Sequence, residues 1–150
     1  MEYQFCVPGA PHGKDRPRAG LIHGRIVMYT PKKTKDYEKS VREAFVKAYP
    51  DSIPLDGPVC VVIEACFQIP KSERKAVAEK CVSGELLPTK KCDADNIAKA
   101  VLDAVNGLAY RDDAQVVHLD VHKRYVSNVG DSPSVAVTVY AMEGLLHEPW

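Results

Sequence analysis

The residues best suited to chemistry lie in two short stretches, Asp93-Ala94-Asp95-Asn96-Ile97-Ala98-Lys99 and Tyr110-Arg111-Asp112-Asp113-Ala114-Gln115. Asp93 and Asp95 are two residues apart. In an extended stretch leading into a helix, such residues point the same way, so both carboxylates can meet one cation. Hard oxygen ligands of this kind suit Mg²⁺ or Mn²⁺. Lys99 follows Asp95 by four residues, one helical turn on along the same face. There an ammonium can contact a scissile phosphate or stabilise developing charge. Asp112 and Asp113 come after the helix has returned the chain, which could assemble three or four carboxylates around a metal. Such a site can generate hydroxide from water and neutralise charge in a phosphoryl-transfer transition state.

Each residue also has a plainer use. Asp95 suits a helix N-cap, and Asp93 could serve a similar end. Asp112-Asp113 suits a polar turn, and Lys99 a solvated helix face. The chemical reading gains from all of them falling between Asp93 and Gln115, and from the charge pattern. The chain is neutral overall, yet residues 11 to 35 carry seven Lys/Arg (Lys14, Arg16, Arg18, Arg25, Lys32, Lys33, Lys35) against Asp15 alone, a net of +6. Residues 92 to 120 carry six Asp against Lys99 and Arg111, a net of −4. A basic arm that neutralises phosphates beside an acidic cluster that holds cations is what a metal-using nuclease needs. Taken alone, the arm is equally a solvated basic loop.

The elements that must position these groups can be read from periodicity. Tyr3 to Val7 reads as a short strand stopped by Pro8-Gly9-Ala10-Pro11, which opens a loop through Arg18, and Gly24 to Tyr29 reads as a strand or hairpin arm. A helix over about Thr34 to Tyr49 carries an apolar stripe of Tyr37, Val41, Ala44, Phe45 and Ala48, closed by Pro50 and Pro54. Val59 to Ile69 is apolar on both faces and reads as a central strand. Ser72 to Val82 is a short charged helix ended by Gly84. A second main helix starts near Asp95, with Ile97, Val101, Leu102 and Val105 inward, and ends at Asn106-Gly107. Gln115 to Tyr125 and Ser134 to Met142 alternate like strands. The order predicts one α/β or α+β domain over residues 1–150, a mixed sheet packed by two main helices.

The composition, 45% hydrophobic and 27% charged, is that of an ordinary globular protein. No apolar run reaches the roughly 20 residues that span a bilayer, and the N-terminus lacks the pattern of a secretion signal, so the expected compartment is the cytoplasm. Five cysteines (Cys6, Cys60, Cys66, Cys81, Cys92), with no Cys-x-x-Cys pair, read as reduced, partly buried thiols.

Asp-x-Asp-Asn-x-x-Lys, an apolar helix with Leu102-Asp103-Ala104, then Asp-Asp-Ala-Gln-Val resembles the signature of the RusA family of Holliday-junction resolvases. Pro8-Gly9-x-Pro11-x-x-Lys14-x-Arg16-Pro17-Arg18 and Tyr29-x-Pro31-x-Lys33-Thr34 are similar to the family's opening, and the likeness spans about residues 3 to 125. It implies a small homodimeric Mg²⁺-dependent endonuclease, often carried by phages and prophages, that cuts four-way DNA junctions. By motif position, the metal-binding aspartates would be Asp93, Asp95 and Asp113 and the functional lysine Lys99. Lys14, Arg16, Arg18, Lys33 and Lys99 would meet DNA. The segment Lys71 to Lys91 departs from the pattern in being longer than a minimal member needs. The competing reading is a non-catalytic junction-binding protein, although such a protein has no use for carboxylates that repel phosphate.

Other candidates are weaker. His118, Asp120 and His122 share one face of a strand and form either a second metal site or a polar strip. Lys123 and Arg124 touch DNA or simply end the strand. No Ser-His-Asp order, Walker loop or dinucleotide fingerprint is present.

Overall fold

The computed structural model describes residues 1–142. Its elements are β1 (Glu2–Pro8), β2 (Arg18–Ile22), β3 (Arg25–Tyr29), α1 (Lys32–Ala48), β4 (Val59–Phe67), α2 (Lys75–Ser83), α3 (Ala94–Val105), a single 3₁₀ turn (Asp113–Gln115), β5 (Val116–Tyr125) and β6 (Ser134–Ala141). Four strands form one sheet in the order β1-β6-β4-β5. β5 runs parallel to β4, whereas β6 runs antiparallel to both β4 and β1. A parallel neighbour cannot be reached by a tight turn, so the whole of α2 and α3 lies in the crossover from β4 to β5. The sheet is therefore mixed, in a single α+β domain, as the order of elements predicts.

β4 lies inside the sheet, and Val59, Val61, Ile63 and Ala65 are buried. Cross-strand partners Val135, Val137 and Val139 of β6 and Tyr3, Phe5 and Val7 of β1 line the same face. Val41 and Phe45 of α1 and Ile97, Val101 and Val105 of α3 pack against that face. Phe45 meets Tyr3 and Phe5 edge-on, with centroids 5.3 Å away in each case, a geometry that matches the ring quadrupoles. Val135, Val137 and Val139 are thus core, while Val117 and Leu119 of β5 remain exposed. A smaller cluster joins α2 to the sheet through Cys66, Ile69, Ala78, Cys81 and Val126. Gly84 ends α2 in the left-handed conformation, φ 82°, which glycine adopts without a Cβ clash.

The sequence reading missed β2. Residues 18–22 pair with β3 as a separate hairpin, Arg18 opposite Tyr29 and Ile22 opposite Arg25. Its two turn residues, His23 and Gly24, both have positive φ, 50° and 75°. Positive φ at both positions is the requirement of the hairpin turn whose twist matches the strands. The signal was weak because β2 begins with Arg-Ala-Gly and a histidine occupies the first turn position. Among the described residues no helix is long and apolar enough to cross a membrane.

Candidate active site

α3 carries most of the chemistry. It begins one residue earlier than expected. Asp93 takes the N-cap position with extended backbone (φ −70°, ψ 145°), and Ala94 is the first helical residue. Asp95 is therefore inside the first turn and not in an extended stretch. The strand-like argument for Asp93 and Asp95 pointing the same way is accordingly replaced by a helix-head geometry. Asp93 makes no side-chain capping hydrogen bond. Both carboxylates are exposed, and among the described residues neither has an ion-pair partner.

From Asp95, steps of four residues reach Lys99 and then Asp103, so acid, base and acid share one helical face. The Lys99 ammonium lies 3.0 Å from Asp103 Oδ1 and 3.6 Å from Asp113 Oδ2. Hydrogen bonding to Asp103 raises the Lys99 pKa above its ordinary value, with Asp113 adding to it. Asp113, half-buried, is thus the member of the Asp112-Asp113 pair that reaches the site, while Asp112 faces solvent.

Gln115 fixes the turn that presents Asp113. Its side-chain oxygen accepts from the backbone N–H of Arg111 (2.8 Å) and of Asp112 (3.0 Å). Its amide nitrogen donates to the carbonyls of Leu55 (2.9 Å) and Gly57 (2.8 Å). One side chain therefore ties the turn to the loop that enters β4. Below it, Tyr110 is fully buried and donates to the carbonyl of Leu102 at 2.8 Å. Burial raises its pKa.

The N-terminal loop lies across the head of α3. The Lys14 backbone N–H donates to the Asn96 carbonyl at 2.9 Å. Gly13 fits there because a Cβ would stand 3.0 Å from the Cβ atoms of both Asn96 and Cys92. The Lys14 ammonium reaches Asp103 Oδ2 and lies 3.0 Å from Glu38 of α1. Burial acts to lower the Lys14 pKa, but Asp103 and Glu38 outweigh it and raise it. Burial likewise acts to raise Asp103, and hydrogen bonds from Lys14 and Lys99 outweigh it, holding the carboxyl below its ordinary value. Asp103 thus serves two lysines. The helical spacing of Asp103 from Lys99 is visible in the sequence, whereas the approach of Lys14 and Glu38 depends on how the loop and α1 pack. Arg16, Arg18 and Lys33 are exposed.

The loop and α1 are also joined beneath the surface. The fully buried Thr34 hydroxyl accepts from the Asp15 N–H at 3.1 Å and donates to Asp15 Oδ2 at 3.3 Å. The Tyr37 hydroxyl nearby is buried, and that burial pushes its pKa up to about 12 against an opposing effect of the His12 backbone. Between this loop and Lys91–Asp93 opens a cleft of about 330 Å³. A larger groove between β1 and α1, about 570 Å³, lies away from these aspartates.

The donor set suits a hard divalent cation, since Asp93, Asp95 and Asp113 offer only carboxylate oxygens. The arrangement is open, however. Asp93 and Asp95 stand at the helix head and Asp113 lies beside Lys99 and Asp103. Among the described residues no three His, Cys, Asp or Glu side chains converge closely enough to hold a metal ion. The same holds for His118, Asp120 and His122. They lie on the sheet face away from α1 and α3, where the His122 ring is 3.0 Å from Asp120. Lys123 donates to the Lys90 carbonyl at 2.9 Å, and Arg124 lies 3.4 Å from Glu64.

The loop, α1, both acidic stretches and strands β4 and β5 all fall within residues 8–140, which match the family model described as Endodeoxyribonuclease RusA. The chain is also similar to the uncharacterized protein YqaN of Bacillus subtilis (strain 168), with 37% identity over 138 residues, covering 91% of this chain and 94% of that protein. With the family match spanning most of its length, and with the motif residues set around one helix, the chain belongs to the RusA family of endodeoxyribonucleases, hydrolases that act on DNA.

Proposed function

We propose that this chain resolves four-way DNA junctions by metal-dependent phosphodiester hydrolysis, leaving 5′-phosphate and 3′-hydroxyl ends, in recombination, repair or phage DNA processing. The observation that carries the reading is the Lys99 ammonium, held at 3.6 Å from Asp113 and one turn from Asp95. It links two acidic stretches that are separate in sequence. A Mg²⁺ or Mn²⁺ ion held by Asp93, Asp95 and Asp113 would supply an activated water and neutralise charge on the phosphate. Lys99 orients the scissile phosphate and stabilises charge that develops on it. Arg16, Arg18 and Lys33 contact the flanking phosphates, and Lys14 positions the loop that leads to Arg16 and Arg18.

Two opposed cuts are needed per junction and the chain offers one acidic cluster, so the working form is a two-fold dimer, with the exposed Val117 and Leu119 of β5 in its interface. Five free thiols fit a reducing compartment such as the cytoplasm. The test is cleavage of a synthetic four-way junction with and without Mg²⁺, by wild type and by Asp95→Asn. Cleavage that needs the metal and disappears in Asp95→Asn, with junction binding retained, is the expected result. A variant within about threefold of wild-type turnover at saturating Mg²⁺ would remove Asp95 from the chemistry.

A further inference from the structure

The β2–β3 hairpin stands apart from the four-stranded sheet. Its register divides it into two faces. Arg18, Gly20, Ile22, Arg25, Val27 and Tyr29 share one, and the Tyr29 ring covers Gly20, where a Cβ would come within 3.1 Å of it. Ala19, Leu21, Ile26 and Met28 form the other, which has no polar side chain. Leu21 and Ile26 are each 76% exposed and Met28 62%. A two-stranded hairpin is at best marginally stable alone in water, and an apolar face this open marks a contact surface.

Charge says what covers it. Residues 16 to 35 contain six Lys/Arg (Arg16, Arg18, Arg25, Lys32, Lys33, Lys35) and no Asp or Glu. Arg18 and Arg25 point away from the apolar face, so a second hairpin stacked there would leave them unpaired while adding its own six positive charges to the same small volume, which opposes association. A polyanion that also offers flat apolar surface meets both requirements, and DNA does so wherever its base stack is broken. In a continuous duplex the base faces are covered by one another. At a branch point some are not.

The placement fits this use. Both legs of the hairpin are pinned at the candidate active site, because Asp15 precedes β2 and Thr34 follows β3, and the two are hydrogen-bonded to each other. Five residues per strand give a reach of about 17 Å from that root, comparable with the width of a duplex groove and its flanking strand.

We infer that the apolar face of the β2–β3 hairpin, through Leu21, Ile26 and Met28, is a wedge that packs against unstacked bases at a DNA branch point while its arginines hold the adjoining phosphates. The inference rests on the junction-resolving reading and deepens it, naming the element that distinguishes branched from linear DNA. Apolar side chains inserted at base steps are a known way to exploit broken stacking. Stacking also responds less to salt than phosphate contacts do.

The test compares wild type with Leu21→Ser/Ile26→Ser, substitutions on exposed positions that leave the core untouched. Dissociation constants are measured without divalent metal for a four-way junction and for a linear duplex of equal length, at two salt concentrations. A 2-aminopurine at the branch point reports unstacking, and light scattering gives the mass of both proteins. The expected result is a loss of tenfold or more in junction affinity, linear affinity within twofold, loss of the 2-aminopurine signal and an unchanged mass. A variant that keeps the wild-type preference for junctions, or that weakens on both substrates equally, overturns the wedge alone. A change of mass assigns the face to a second copy and also overturns it. Wild type with no preference for junctions over linear duplex defeats the junction-resolving reading itself, and the wedge with it.

Discussion

Replacing Asp103 with Asn keeps the shape of the side chain and removes the charge that two lysines share. The magnitude follows from the contacts. Lys14 and Asp103 are mostly covered, with side-chain exposures of 22% and 21%, and a hydrogen bond to a charged group contributes about 1.5–3 kcal/mol. Lys14 keeps Glu38 at 3.0 Å, so it is not left unpaired, and the lower end applies. The Lys99 partner is more than half exposed, and an i,i+4 pair of that kind contributes only about 0.3–0.5 kcal/mol. The expected loss is about 2 kcal/mol, or about 4–8 °C in Tm for a chain of this length. Its pH dependence has a definite sign. The Asp103 carboxyl is held below its ordinary value in the folded state. Its contribution is therefore complete above the unfolded pKa of about 3.9 and is lost as pH falls through the lower folded value. Thermal melts followed by circular dichroism should show the full gap between wild type and Asp103→Asn at pH 7 and a shrinking gap below pH about 4. A gap under 1 °C at pH 7, or one as large at pH 3 as at pH 7, would refute the shared-carboxylate account.

Three further outcomes are expected. Lys99→Ala should lower kcat on a junction by about 10²-fold or more while changing binding less than about threefold, and equal losses in both would make Lys99 a plain phosphate contact. Gly13→Ala places a Cβ 3.0 Å from Asn96 and Cys92 and should destabilise by about 1–3 kcal/mol, read as a lower urea midpoint; an unchanged midpoint would mean that the loop yields freely. Light scattering at micromolar concentration should give twice the 16.5 kDa chain mass, with Val117→Asp/Leu119→Asp reverting to monomer. A wild-type monomer that only nicks a cruciform plasmid would end the paired-site model.

The parts of the fold legible in the sequence are those set by period. The stripe Tyr37, Val41, Ala44, Phe45, Ala48 and the two-faced apolar run from Val59 located α1 and β4 because burial repeats at the spacing of the backbone. One arm of the hairpin, β3, was legible, but β2 escaped because it is not buried on either side, so no alternation marks it. At the site, Asp93, Asp95, Lys99 and Asp113 were visible as residue types at set spacings. The separation of Asp113 from the helix head was not, since it depends on where Gln115 anchors the turn. Asp103 was visible as a helical neighbour of Lys99, but its tie to Lys14 spans 89 positions, and long-range contacts of this kind leave no periodic trace.

The hydrogen bonds between Asp15 and Thr34 have a consequence for modularity. The chain leaves the domain and re-enters it at nearly the same point, so everything between Pro17 and Thr30 is a side excursion that contributes no residue to the main core. Such an excursion can be shortened, lengthened or exchanged for one from a relative without disturbing β1, α1 or the acidic cluster. On the wedge reading, the preference for branched DNA is then set by a segment that can change without touching the acidic residues. The same root is the point at which a hairpin from a relative would be grafted to test whether the preference moves with it.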